Sequence, residues 1–143
     1  MQESYRSALD GLHVLVIDDD HDSRVLMDTM LRDCGAIITT VESAMRARQA
    51  LAHGLRPDVI VSDLAMPVED GPGLLRELRA DPTYASVPAL AVTAYGHQFL
   101  SEELRAAGFT AILRKPLNAD EFARAVIAMG AARGRRPPPP ANQ

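Results

Sequence analysis

Five short apolar runs, each followed by a stretch of helical periodicity, constrain this chain more than any other feature. Strand-like segments are expected at about residues 12–17, 36–40, 58–62, 89–92 and 109–113, and the cores of four of them read VLVI, VIVS, LAV and AILR. Runs this short and this apolar suit strands buried on both faces, and their alternation with helices suits parallel strands. Right-handed crossovers then give one parallel α/β sheet covered by helices on both sides.

The helical stretches carry their own punctuation. The first is expected near residues 23–34, with Leu26, Met27, Met30, Leu31 and Cys34 on one stripe and Gly35 closing its end. Ser43 caps a second, whose Ala44, Ala47, Ala50 and Leu51 turn inward. A third presents Leu74, Leu75 and Leu78 and stops at Asp81-Pro82. A fourth carries Leu100, Leu104 and Ala107 and ends at Gly108. Asn118 and Glu121 read as a capping box for the last, which buries Phe122, Ala125, Val126 and Met129.

The 143 residues favour a single domain, expected over 12–130. Residues 1–11 read as a polar lead-in. Residues 131–143 read as a disordered tail with Arg133, Arg135, Arg136 and four consecutive prolines, with a docking peptide for a proline-binding partner as the alternative. The one cysteine, Cys34, excludes an internal disulfide framework. No run approaches membrane-span length, and the net charge of −4 comes with no basic stripe. A cytoplasmic protein that engages neither membrane nor nucleic acid is the expectation.

Chemistry gathers where the apolar runs end. Asp18 and Asp19 follow the first, Asp63 the third, Thr93 the fourth and Lys115 the fifth. In an open parallel sheet these positions share the carboxyl edge, where ligands bind. Taken singly, each has an ordinary role. Residues 18–20 can cap the first helix, Asp63 can end a strand in a turn, Thr93 is a common strand residue, and Lys115 can extend into solvent. Taken together they match one task. Three carboxylates suit Mg²⁺, or Mn²⁺, and without a cation a like-charge pair at about 4 Å costs on the order of 4 kcal/mol at an effective dielectric of about 20. Asp63 is the candidate phosphoryl nucleophile, with Lys115 and Thr93 balancing charge on the transferred group. His13, His21, His53 and His97 are scattered and read as surface residues.

The segments VLVIDDD (14–20), VIVSDLAMP (59–67) followed by Asp70-Gly71, AVTAY (91–95) and RKP (114–116) resemble the response-regulator receiver domain of two-component signalling, most of all receivers attached to hybrid histidine kinases. The resemblance spans about residues 12–130. It implies a flavodoxin-like (βα)5 three-layer sandwich with strand order 2-1-3-4-5, working as a stand-alone phospho-switch or phosphorelay carrier. It implies transfer of a phosphoryl group from a histidine kinase or histidine-phosphotransfer protein to Asp63. Asp18, Asp19, Asp63 and the backbone carbonyl of Ala65 would hold the metal, Thr93 and Lys115 would be the switch hydroxyl and phosphate-binding lysine, and Lys115-Pro116 matches a bond often cis. Output would pass to a downstream protein through the fourth helix, fifth strand and last helix, over Tyr95, Phe99, Leu100, Ile112 and Phe122. Two positions depart from the pattern. Ile112 stands where a switch aromatic is usual, and Ala65 has no polar side chain to orient water.

Two rivals share parts of this reading. A small Mg²⁺-dependent phosphatase using an aspartyl-phosphate commonly needs a second acid where Ala65 stands. A flavin-binding electron carrier needs a hydroxyl-rich phosphate loop where Asp18, Asp19 and Asp20 stand.

Overall fold

A computed structural model describes residues 6–64, 66, 71–94 and 101–132. Strands β1 (His13–Ile17), β2 (Ile37–Val41), β3 (Val59–Asp63), β4 (Ala89–Thr93) and β5 (Ala111–Arg114) alternate with helices α1 (His21–Arg32), α2 (Ala44–Ala52), α3 (Gly71–Arg79), α4 (Ser101–Ala107) and α5 (Ala119–Ala132). The strands pair in parallel in the order β2-β1-β3-β4-β5. This is the (βα)5 layered architecture with strand order 2-1-3-4-5 expected from the sequence.

The strand period of two sorts the apolar runs into two cores. Leu15, Ile17, Ile60, Ala89 and Ala91 face α2, α3 and α4, where they meet Ala47, Leu51, Leu74, Leu78 and Leu104. Val14, Val16, Val59, Val61, Leu90 and Val92 face the other way, against Met27 and Leu31 of α1 and Phe122, Val126 and Met129 of α5. β3 and β4 are buried along their whole length, as continuous apolar runs require.

The helix ends follow local chemistry. The Ser43 side chain accepts from the Arg46 amide, and the Asn118 side chain from the Glu121 amide. Gly35 adopts φ 94°, and the amides of Gly35 and Ala36 close on the carbonyls of Arg32 and Leu31 in a Schellman motif.

Four expectations need correction. α1 starts at His21 rather than near residue 23, because Asp20 caps it by accepting from the Ser23 amide. Leu26 is 45% exposed, since the inward line of α1 runs through Met27 and Leu31 and turns Leu26 toward Pro116 and Leu117. The lead-in is not purely polar: Leu9 is buried in the α1/α5 core, and its amide donates to the Cys34 carbonyl at 2.9 Å. α5 passes the expected boundary at 130 and continues to Ala132. The rest of the tail, residues 133–143, lies outside the described residues.

Candidate functional site

The ends of four strands meet at the carboxyl edge of the sheet. Asp63 closes β3 and Thr93 closes β4; both are buried. Asp18 follows β1 and Lys115 follows β5. Parallel pairing of adjacent strands sets them side by side. Asp63 lies opposite Val92 in the register, and Thr93 lies opposite Arg114. The Lys115 amide donates to the Thr93 carbonyl at 2.8 Å, which ties the hydroxyl-bearing and ammonium-bearing residues together through their backbones.

Asp18 and Asp19 are adjacent in sequence but not in environment. Asp18 is fully buried and every polar group on it is engaged. Its amide donates to Val41, its carbonyl accepts from Arg24 at 2.8 Å, Oδ1 accepts from the Asp20 amide at 2.9 Å, and Oδ2 accepts from Lys115 Nζ at 2.7 Å. Such satisfaction is what makes a buried carboxylate tolerable. Asp19 is exposed. One carboxylate oxygen from each of Asp18, Asp19 and Asp63 lies within 4.8 Å of the others. Three grouped hard anionic donors, one of them also on an ammonium, match a divalent cation with oxygen preference, which would neutralise the mutual repulsion.

The backbone around Asp63 is held closely. Gly71 opens α3 against it: a Cβ there would collide with the Asp63 carbonyl oxygen and lie 2.9 Å from Ser62 Oγ. Ser62 Oγ in turn donates to the Asp63 carbonyl at 2.9 Å. The glycine of the Asp70-Gly71 pair is therefore required by close approach, at the segment that returns the chain to the site.

Five of the six expected site residues (Asp18, Asp19, Asp63, Thr93 and Lys115) converge on this edge. The sixth, Ala65, lies outside the described residues, as do Tyr95, Phe99 and Leu100 of the expected output face. Ile112 is 36% exposed on β5 beside a hollow of about 160 Å³ with Leu104, Arg105 and Phe109. Phe122, expected on that face, is instead fully buried in the α1/α5 core, because its position on α5 points into the sheet. The Lys115-Pro116 bond is cis.

The sequence does not single out two residues that belong to the site. Arg24 holds the Asp18 carbonyl, and Ser23 Oγ accepts from Lys115 Nζ at 3.2 Å. Their visible signal is only the spacing Asp20-x-x-Ser23, which reads as a helix cap. That cap is real. The Ser23 amide, bonded to the Asp20 carboxylate, holds the Asp20 carboxyl below its ordinary value of 3.8. Asp20 thus takes the capping role that the sequence left open for residues 18–20, and Asp18 and Asp19 remain for the site.

Comparison with known proteins agrees with this geometry. Residues 14–127 match the family model described as the response regulator receiver domain. An uncharacterized 14.6 kDa protein of Leptolyngbya boryana is 39% identical over 115 residues, covering 80% of this chain and 87% of that one. Protein PetR of Rhodobacter capsulatus is 37% identical over 110 residues, covering 77% of this chain and 45% of PetR, so the chain spans under half of that relative. Among solved structures, the receiver domain of a Pseudomonas aeruginosa sensor histidine kinase superposes with a TM-score of 0.76 at 30% identity, covering 85% of this chain and 98% of that one. That structure has a magnesium ion coordinated in its active-site cleft. The phosphatase and flavin-carrier readings are not favoured. With the family model covering most of its length and three acids grouped at one sheet edge, the chain belongs to the response regulator receiver domain family of two-component signalling, in which phosphorylation and Mg²⁺ binding are typical.

Proposed function

We propose that Asp63 is the phosphoacceptor of this receiver, taking its phosphoryl group from a phosphohistidine on a histidine kinase or histidine-phosphotransfer protein. The observation that carries this reading is the grouping of Asp18, Asp19 and Asp63, with one oxygen of each carboxylate within 4.8 Å of the others, and Lys115 on Asp18 at 2.7 Å. A carboxylate oxygen of Asp63 forms the new bond to phosphorus while the bond from phosphorus to the imidazole nitrogen breaks, and the electron pair leaves with the imidazole. Lys115 balances charge on the equatorial oxygens, and the Thr93 hydroxyl donates to one of them. Asp18, Asp19, Asp63 and the carbonyl of Ala65 would hold Mg²⁺, with Mn²⁺ as a substitute; a bound divalent cation offsets the carboxylate charge and that of the phosphoryl group. Beyond that self-directed transfer and its hydrolysis, the chain turns over no substrate.

The output passes through protein contact. Thr93 leads toward α4 and Lys115 toward α5, so movement of either toward a phosphoryl group biases the surface that holds Ile112 and its hollow. A downstream protein docks there, without nucleic acid or membrane. The reading sets this partner contact in the cytoplasm; separately, no described helix is long and apolar enough to cross a bilayer.

Incubation with acetyl phosphate and Mg²⁺ should add one phosphoryl mass to the intact protein, and Asp63→Asn should take none. Equal labelling of Asp63→Asn would overturn the assignment.

A further inference from the structure

A lysine ammonium has three protons to donate. Asp18 Oδ2 accepts one from Lys115 at 2.7 Å, and Ser23 Oγ accepts a second at 3.2 Å. The two contacts differ in kind. Asp18 is one of the three carboxylates grouped as a candidate cation site, so a cation there competes with Lys115 for its charge. Ser23 is neutral and lies outside that group, so its hold on Lys115 survives such competition.

The hydroxyl also stands on a fixed support. Ser23 sits in the first turn of α1, and its amide is anchored on the Asp20 carboxylate at 2.9 Å. Lys115 stands on the connection between β5 and α5, 92 residues away in the chain, and its amide is anchored on Thr93. One hydroxyl therefore joins two separately braced segments at the site.

We propose that Ser23 is a positioning residue for phosphoryl transfer. Its hydroxyl keeps the Lys115 ammonium in place when Asp18 is drawn toward a cation, and leaves the third proton for an oxygen of the group transferred to Asp63. This rests on Asp63 being the phosphoacceptor. With acetyl phosphate as donor, the Asp63 oxygen bonds to phosphorus as the acyl oxygen–phosphorus bond breaks, and acetate leaves with the electron pair. Neither Ser23 nor Lys115 gives up a proton.

The test is the rate of phosphorylation by acetyl phosphate at saturating Mg²⁺, read by intact mass. Ser23→Ala should slow it about fivefold. Ser23→Thr, which keeps the hydroxyl, should restore it. In a Lys115→Ala background, where the residual rate is read over longer incubation, Ser23→Ala should add no further loss. Mg²⁺ affinity, followed by thermal shift, should match wild type in Ser23→Ala. A wild-type rate in Ser23→Ala, a loss that persists without Lys115, or weakened Mg²⁺ binding would each overturn the proposal. If wild type takes no label, or Asp63→Asn labels equally, the phosphoacceptor reading fails and this inference fails with it.

Discussion

The two edges of the sheet handle charge in opposite ways. At the carboxyl edge, three carboxylates crowd together, and one of them, Asp18, carries a lysine. At the amino edge, charge is spent on neutral backbone. Arg79, at the end of α3, donates to the carbonyls of Tyr84 at 2.9 Å, Ala85 at 3.2 Å and Gly108 at 2.7 Å. Arg56 donates to the Leu55 carbonyl at 3.0 Å and to Tyr84 Oη at 3.2 Å, with its guanidinium 5.8 Å from the Tyr84 ring centre. Gly108 has φ 113°, and a Cβ there would lie 2.5 Å from Arg79 Nε, so this edge is built around the arginine. A guanidinium that meets carbonyls locks the connections before β4 and β5. Carboxylates that meet each other repel, and Lys115 on Asp18 offsets one of the three charges, so an added cation still gains by binding there. One edge is built for stability, and the other holds its charges in readiness for a ligand.

That contrast predicts effects of opposite sign. The largest belongs to the amino edge. Arg79→Ala removes three charge-assisted hydrogen bonds and should cost about 2–3 kcal/mol in urea unfolding, with Mg²⁺ binding unchanged. A cost below about 0.5 kcal/mol would mean that this edge does not depend on its arginine.

Next comes the carboxyl edge. In chelator, Asp63→Asn removes one of three crowded charges at nearly constant volume and should stabilise the fold by about 1–2 kcal/mol. Added Mg²⁺ should raise the melting temperature of wild type more than that of the variant. Destabilisation of Asp63→Asn in chelator would show that Lys115 and the backbone already compensate the cluster, and the contrast between the edges would lapse.

The smallest effect is a control from neither edge. Arg48 and Glu77 form a forked pair between α2 and α3 at 2.6–3.0 Å, largely in solvent. Glu77→Gln should cost under about 1 kcal/mol at neutral pH. The hydrogen bond from Arg48 holds the Glu77 carboxyl below its ordinary value of 4.5. A depressed carboxyl contributes stability above the unfolded value and loses it as pH falls through the lower folded value. The difference between wild type and Glu77→Gln should therefore be constant near neutrality, shrink as pH falls through about 4.5 toward the lower folded value, and fade in high salt. A difference that grows on acidification would contradict the pairing.

Much of this molecule is written in local pattern. Run length and period alone locate five strands and five helices, because burial on two faces admits only apolar residues and a helix repeats every 3.6 positions. The caps at Ser43, Gly35 and Asn118 are legible for a similar reason, since each satisfies backbone groups within a few residues. The site residues are legible as polar residues ending apolar runs. Partner choice is not. Asp18 and Asp19 look equivalent in sequence, yet one is fully buried on Lys115, 97 residues away, and the other is exposed. Leu9 reads as part of a polar leader and is core, whereas Leu26 reads as core and faces outward. Phe122 could line either a surface or an interior until the twist of α5 against the sheet decides. Arg79 reads as one more surface arginine until three carbonyls converge on it. Local periodicity determined the elements and the kind of chemistry at their ends. The order of the strands, a matter of long-range packing, decided which of those ends meet and which side chain answers which charge.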